Sequence, residues 1–92
     1  MHSYEIAPFL QRILKKLSRK NKITYEQILK KIDEIINSPN VEHYKNLRYD
    51  MKDKKSVHIG SFVLVFRFVK NENKIIFLDY DHHDVIYRKK YD

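Results

Sequence analysis

Residues 62–69 read Phe62-Val63-Leu64-Val65-Phe66-Arg67-Phe68-Val69, and the fold turns on how they are interpreted. The run is short and rich in β-branched and aromatic side chains, which favours a strand over a helix. Arg67 is its single polar residue, so the strand has to be covered on both faces and belongs in the middle of a sheet. Downstream, Asn71-Glu72-Asn73 has the composition of a turn, and residues 74–80, Lys74 to Tyr80, form the returning strand. Upstream, Gly60 interrupts the pattern as a bulge or turn would, and residues 55–59 supply a preceding strand. Further back, residues 44–49 also read as a strand, with Asp50–Lys54 as a charged loop.

Before residue 40 the apolar period is 3.6 rather than 2. Ser3-Tyr4-Glu5-Ile6 is a short alternating run that suits an edge strand. Pro8 fits the first turn of a helix, where its missing N–H costs nothing. Phe9, Leu10, Ile13, Leu14 and Leu17 then make one helical stripe, and Arg12, Lys15, Lys16, Arg19 and Lys20 lie off it. Asn21-Lys22 breaks the pattern. A second helix is expected to start at Thr24, which with Gln27 makes a capping box, while Ile23 and Ile28 staple the entry. Ile28, Leu29, Ile32, Ile35 and Ile36 carry its stripe up to Asn37-Ser38-Pro39-Asn40.

The order is therefore β-α-α-β-β-β, followed by a short C-terminal tail or helix over residues 81–92. Such a chain is one α+β domain spanning residues 1–92. Its N-terminal helical hairpin packs on one face of a mostly antiparallel, twisted four-stranded sheet and leaves the other face partly open. The chain has no cysteine, which excludes disulfides and thiolate metal sites and fits a reducing cytoplasm. No apolar run is long enough to span a membrane, and the first residues lack the features of a signal peptide. With 19 Lys+Arg against 12 Asp+Glu, the formal charge of +7 points to a polyanionic partner.

Three strings then carry a family resemblance. They are Lys45-Asn46-Leu47-Arg48, Val57 to Phe66 with its His58-Ile59-Gly60 turn, and Phe77 to Tyr87 with Asp81-His82-His83-Asp84 and Tyr87. Their order and spacing resemble the RelE/ParE toxin superfamily, most closely its YafQ-like branch. The resemblance implies a toxin that enters the ribosomal A site, cuts mRNA there without a cofactor, and is neutralised by a cognate, acidic RelB/DinJ-like antitoxin. It places His58 on a turn histidine, His83 on a terminal histidine, and Tyr87 on a terminal tyrosine. Lys45 stands where YafQ-like toxins carry another histidine, Ser61-Phe62 replaces an Asp-Trp pair, and Val63 stands where RelE-type toxins carry an arginine.

The residue types suit that chemistry. RNA supplies its own nucleophile, the 2′-OH, so cleavage needs a base, an acid, and positive charge for the phosphorane. Imidazoles titrate near neutrality and serve both proton roles. His58 and His83 are the candidate pair, with His82 as substitute and neither assigned to one role. Lys45, Lys55 and Arg67 are candidates for the charge, and Tyr87 for stacking on a base. Lys15, Lys16, Arg19, Lys20, Arg48, Lys52, Lys54, Lys55, Arg88, Lys89 and Lys90 are candidates for phosphate contacts. Asp79, Asp81, His82, His83, Asp84 and His58 include metal-ligand types but no established ligand spacing, so no metal is assigned. Two other readings remain open at this point: a ParE-like, non-nuclease inhibitor of DNA gyrase, and a basic RNA-binding module without activity.

Overall fold

The computed structural model describes residues 2–48 and 53–91. Strand β1 (Ser3–Ile6) leads into helix α1 (Pro8–Lys20) and helix α2 (Lys22–Ile36). A 3-10 turn at Val41–His43 is followed by β2 (Lys54–Ile59), β3 (Phe62–Val69), a second 3-10 turn at Lys70–Glu72, β4 (Lys74–His82) and the short helix α3 (His83–Ile86). The four strands lie in the order β1-β4-β3-β2. β1 runs parallel to β4, and the β2–β3 and β3–β4 pairs are antiparallel. The α+β class, the helical hairpin and the mostly antiparallel sheet are thus as the sequence predicts.

Both helices bury their stripes on one face of the sheet. Leu10 and Leu14 of α1 and Ile28, Ile32, Ile35 and Ile36 of α2 pack with Leu64, Phe66, Ile75, Phe77 and Tyr80. Removing that apolar surface from water, at roughly 25 cal/mol per Å², is what drives the hairpin onto the strands. The opposite face carries a smaller cluster, Leu47, Val63, Val65 and Ile86, with Leu78 and Tyr91 against it. The tail therefore covers part of the face that the sequence left open. A bulge makes this two-sidedness possible. The register steps from Val65↔Asp79 to Phe66↔Phe77, so Leu78 is the extra residue of β4 and its side chain joins the outer cluster.

Several local expectations are corrected. Helix α2 starts two residues before Thr24, at Lys22, and its N-cap is Asn21, whose side chain accepts from the Thr24 N–H at 3.2 Å. Asn21 also ends α1 by donating its own N–H to Leu17 O at 2.8 Å, so one residue serves both helices and no loop is needed. Ile23 is then inside the helix and 73% exposed, too far out to staple anything. Residues 44–48 do not form a strand. They touch β2 through one bridge, Asn46↔Lys55, with Leu47 N–H to Lys54 O at 2.8 Å and Ser56 N–H to Lys45 O at 2.9 Å. Tyr49, the end of that expected strand, and residues 50–52 of the expected loop lie outside the described residues, while Lys54 belongs to β2 rather than to the loop. The turn after β3 is the 3-10 turn closed by Asn73 at φ 50°, a left-handed conformation that asparagine tolerates better than most residues. β4 continues two residues past Tyr80, to His82. Among the described residues no helix is long and apolar enough to cross a membrane.

Candidate active site

Alternation fixes what each strand shows to the outer face. In β2, Val57 and Ile59 pack with the helix-side core, so Lys54, Ser56 and His58 face the other way. His58 is directly opposite Val63 of the outer cluster. Its Nε2 lies 3.4 Å from the Tyr87 hydroxyl. Tyr87 caps the C-terminus of α3, donating its N–H to His83 O at 3.1 Å. His83 is thus one helical turn before Tyr87, on the same side of α3 and about 6 Å along its axis. The helix itself is fastened to the hairpin by His83 N–H to Ser61 O at 3.0 Å. His58, Tyr87 and His83 accordingly share one neighbourhood, where the β2–β3 turn meets α3, although among the described residues no hydrogen bond joins the two imidazoles directly.

His82 and His83 are neighbours in sequence, and on an extended chain such side chains point to opposite faces. Their rings instead lie 4.3 Å apart at 31°. His82 is the last residue of β4 and the N-cap of α3, so strand alternation ends between the two residues. His82 Nδ1 accepts from Asp84 N–H at 3.2 Å, and its ring meets the Phe62 ring edge-on at 5.6 Å. His83 Nδ1 lies 3.0 Å from the Asp84 carboxylate.

The predicted cations divide sharply. Lys55 is on the helix side, away from His58, and is buried; its Nζ donates to Tyr44 O at 3.1 Å, Asn46 Oδ1 at 2.9 Å and Glu42 O at 3.4 Å. Burial lowers its pKa against the opposing pull of Glu42. It ties the Val41–Asn46 segment to the sheet and is not available to a phosphorane or an RNA phosphate. Arg67 shares the outer face with His58 but sits four residues along β3 from Val63, about 13 Å away. It pairs with Asp53 at 3.1 Å and cannot serve the same centre. Lys54, buried, lies 3.8 Å from the same carboxylate. Arg48 donates to the backbone carbonyls of Tyr87, at 2.9 Å, and of Lys89, so it clamps the tail rather than RNA. Lys89 is likewise committed: its Nζ lies 2.7 Å from Asp79 and 3.6 Å from Asp81, with the Phe9 ring centroid at 5.2 Å. Arg88 is exposed, with Nε donating to Asp84 O at 2.8 Å. Lys45, Lys90 and the α1 cations Lys15, Lys16, Arg19 and Lys20 are exposed. Lys52 lies outside the described residues.

Asp79, named from the sequence only as a metal-ligand type, has a structural role that the sequence did not reveal. It is 3% exposed, accepts from the Tyr80 N–H and from Lys89 Nζ, and takes the Tyr91 hydroxyl at 2.9 Å. Together with Arg48 it holds the tail, and hence Tyr87, in place. Burial first, and the bond to Asp79 second, push the Tyr91 phenol above its usual range. A phenol held protonated by the fold stabilises it below the unfolded value near 10, and that contribution is lost as pH climbs beyond. The denaturant midpoint is therefore expected to drop as pH rises above about 10, and to drop less in Tyr91→Phe. Equal drops in the two proteins would contradict the assigned role.

No family model matches the sequence. A Methanocaldococcus jannaschii protein whose name puts it forward as a RelE toxin, RelE4, is 52% identical over 91 residues, covering 98% of this chain and 95% of that protein. A Methanosarcina mazei protein with no function in its name is 43% identical over 88 residues, covering 95% of this chain and 100% of the relative. Among solved structures, the isolated E. coli RelE toxin superposes with a TM-score of 0.66 at 19% identity, over 89% of this chain and 84% of that one. The Mycobacterium tuberculosis RelBE2 toxin–antitoxin complex gives 0.69 at 17% identity, over 88% and 90%. At these identities the structural likeness establishes the fold.

Proposed function

The chain belongs to the RelE family of toxins, and we propose that it is a ribosome-dependent mRNA endonuclease that works by metal-independent acid–base catalysis. At the coarser level it is the toxin of a RelBE-type toxin–antitoxin system, and its partner is an antitoxin. What carries the finer reading is the meeting of His58 and Tyr87 at 3.4 Å with His83 one turn away.

In the proposed reaction one imidazole takes the proton of a ribose 2′-OH. The 2′-oxygen attacks the adjacent phosphorus, and the 5′-oxygen of the next nucleotide leaves with a proton from the other imidazole. The products are a 2′,3′-cyclic phosphate and a 5′-OH end. Tyr87, 40% exposed, offers its ring to a base and its hydroxyl to orient His58. With Lys55 and Arg67 committed elsewhere, the developing phosphorane charge falls to exposed cations flanking the site, Lys45 beside β2 and Arg88 next to Tyr87. The α1 face of Lys15, Lys16, Arg19 and Lys20 would hold ribosomal RNA by its phosphates. An acidic RelB/DinJ-like antitoxin in the cytoplasm would neutralise the +7 charge.

Induction in growing cells separates this reading from a gyrase poison. Translation is expected to stop, with messages cut inside their reading frames and chromosomal DNA intact. DNA breaks with unbroken messages would overturn the nuclease reading in favour of a ParE-like inhibitor.

A further inference from the structure

We propose that His82, His83 and Asp84 form a binding site for a borderline divalent cation of the zinc type. One ligand atom from each of the three residues falls within 4.8 Å of the other two. His83 Nδ1 lies 3.0 Å and His82 Nδ1 3.7 Å from the carboxylate oxygens of Asp84. Those separations bracket the edge of a tetrahedron with metal–ligand bonds near 2.0–2.1 Å, which is about 3.3 Å. Two imidazoles and one carboxylate are the donor set that favours zinc, nickel or cobalt over magnesium or calcium. Water completes the shell, because all three side chains are between 38% and 64% exposed.

The donors are already placed. His82 is held by its pairing with Phe62 in β3, His83 by its N–H to Ser61 O, and Asp84 by its N–H to His82 Nδ1. That last bond directs the His82 Nδ1 lone pair at the Asp84 backbone N–H, and a metal ion would replace the N–H as its partner. Among the described residues, the two imidazoles are the only ion-pair partners of the Asp84 carboxylate; the nearby cation Lys89 is taken up by Asp79 and Asp81. Among the described residues an ion therefore finds a carboxylate paired with no lysine or arginine, since Arg88 bonds the Asp84 carbonyl instead.

The consequence for activity rests on the nuclease reading. An ion on His83 would withdraw that imidazole from proton transfer, so zinc would act as an inhibitor. The binding test does not depend on it. Untagged protein is titrated with zinc chloride by calorimetry, and with cobalt(II) by visible absorption. One ion per chain is expected, with affinity lowered at least about tenfold in His82→Ala and in Asp84→Asn, and unchanged in His43→Ala. Circular dichroism checks each fold, and His82→Gln, which keeps a polar cap, replaces His82→Ala if that variant does not fold. No binding, binding untouched by the His82 and Asp84 changes, or binding lost in His43→Ala would overturn the site. If zinc binds as described and cleavage is unaffected, it is the catalytic role of His83 that fails.

Discussion

Replacing His83 by alanine is expected to slow single-turnover cleavage of ribosome-bound mRNA by about 10²–10⁴-fold, the usual worth of one positioned proton-transfer group. His58→Ala is expected to cost a similar factor. The double variant should lose much less than the product of the two, because an acid and a base that act in one transition state fail together. Neither change touches the core: His58 is exposed and His83 is half-exposed at the start of a four-residue helix. Loss of activity with an unchanged unfolding midpoint would therefore report chemistry. Tyr87→Phe separates two roles of the same residue. It keeps the ring and removes the hydroxyl at His58, so a loss confined to kcat points to imidazole orientation and a rise in KM points to stacking.

Phe66→Ala is expected to destabilise the fold by about 3–5 kcal/mol. Phe66 is fully buried in the middle of the sheet, at 5.8 Å from both the Tyr44 and Phe77 rings, under the helical hairpin. A domain of this size has a net stability of roughly 5–15 kcal/mol, so the variant would unfold at low denaturant or fail to accumulate. Ile23→Ala, at a position 73% exposed, should shift stability by less than about 0.5 kcal/mol. Urea midpoints with an unchanged slope measure both. A cost below about 1 kcal/mol for Phe66→Ala would mean that the core is not organised around β3.

The contrast between those two residues also shows what the sequence made legible. An eight-residue apolar run with a single arginine has few places to go, and it became the third strand of the sheet between β2 and β4. The helical stripes were equally clear, although Phe9 and Leu29, both on them, stay at the surface. Period-two alternation already separated Lys55 from His58, since odd and even positions of β2 face opposite sides; reading both as site residues overlooked that signal. Arg67 shared the right face, but its distance along β3 was legible only once the register was known. The tail was not legible. Asp79, Lys89 and Tyr91 meet because residues 87–91 fold back over the outer face, and nothing local in Asp79 announces a partner ten residues away. The α2 start was misplaced because Asn21 and Thr24 are both competent caps, and only tertiary packing chose the one that joins the helices without a loop.

The most direct test mixes purified protein with ribosomes and a defined message, and maps the cut ends by primer extension beside the same message without ribosomes. Cuts within the reading frame are expected only on the ribosome, ending in 2′,3′-cyclic phosphate and 5′-OH, and they are expected to disappear in the His58→Ala/His83→Ala protein. Cuts that persist undiminished in that variant, or no cuts from the parent under any condition, would contradict the nuclease reading.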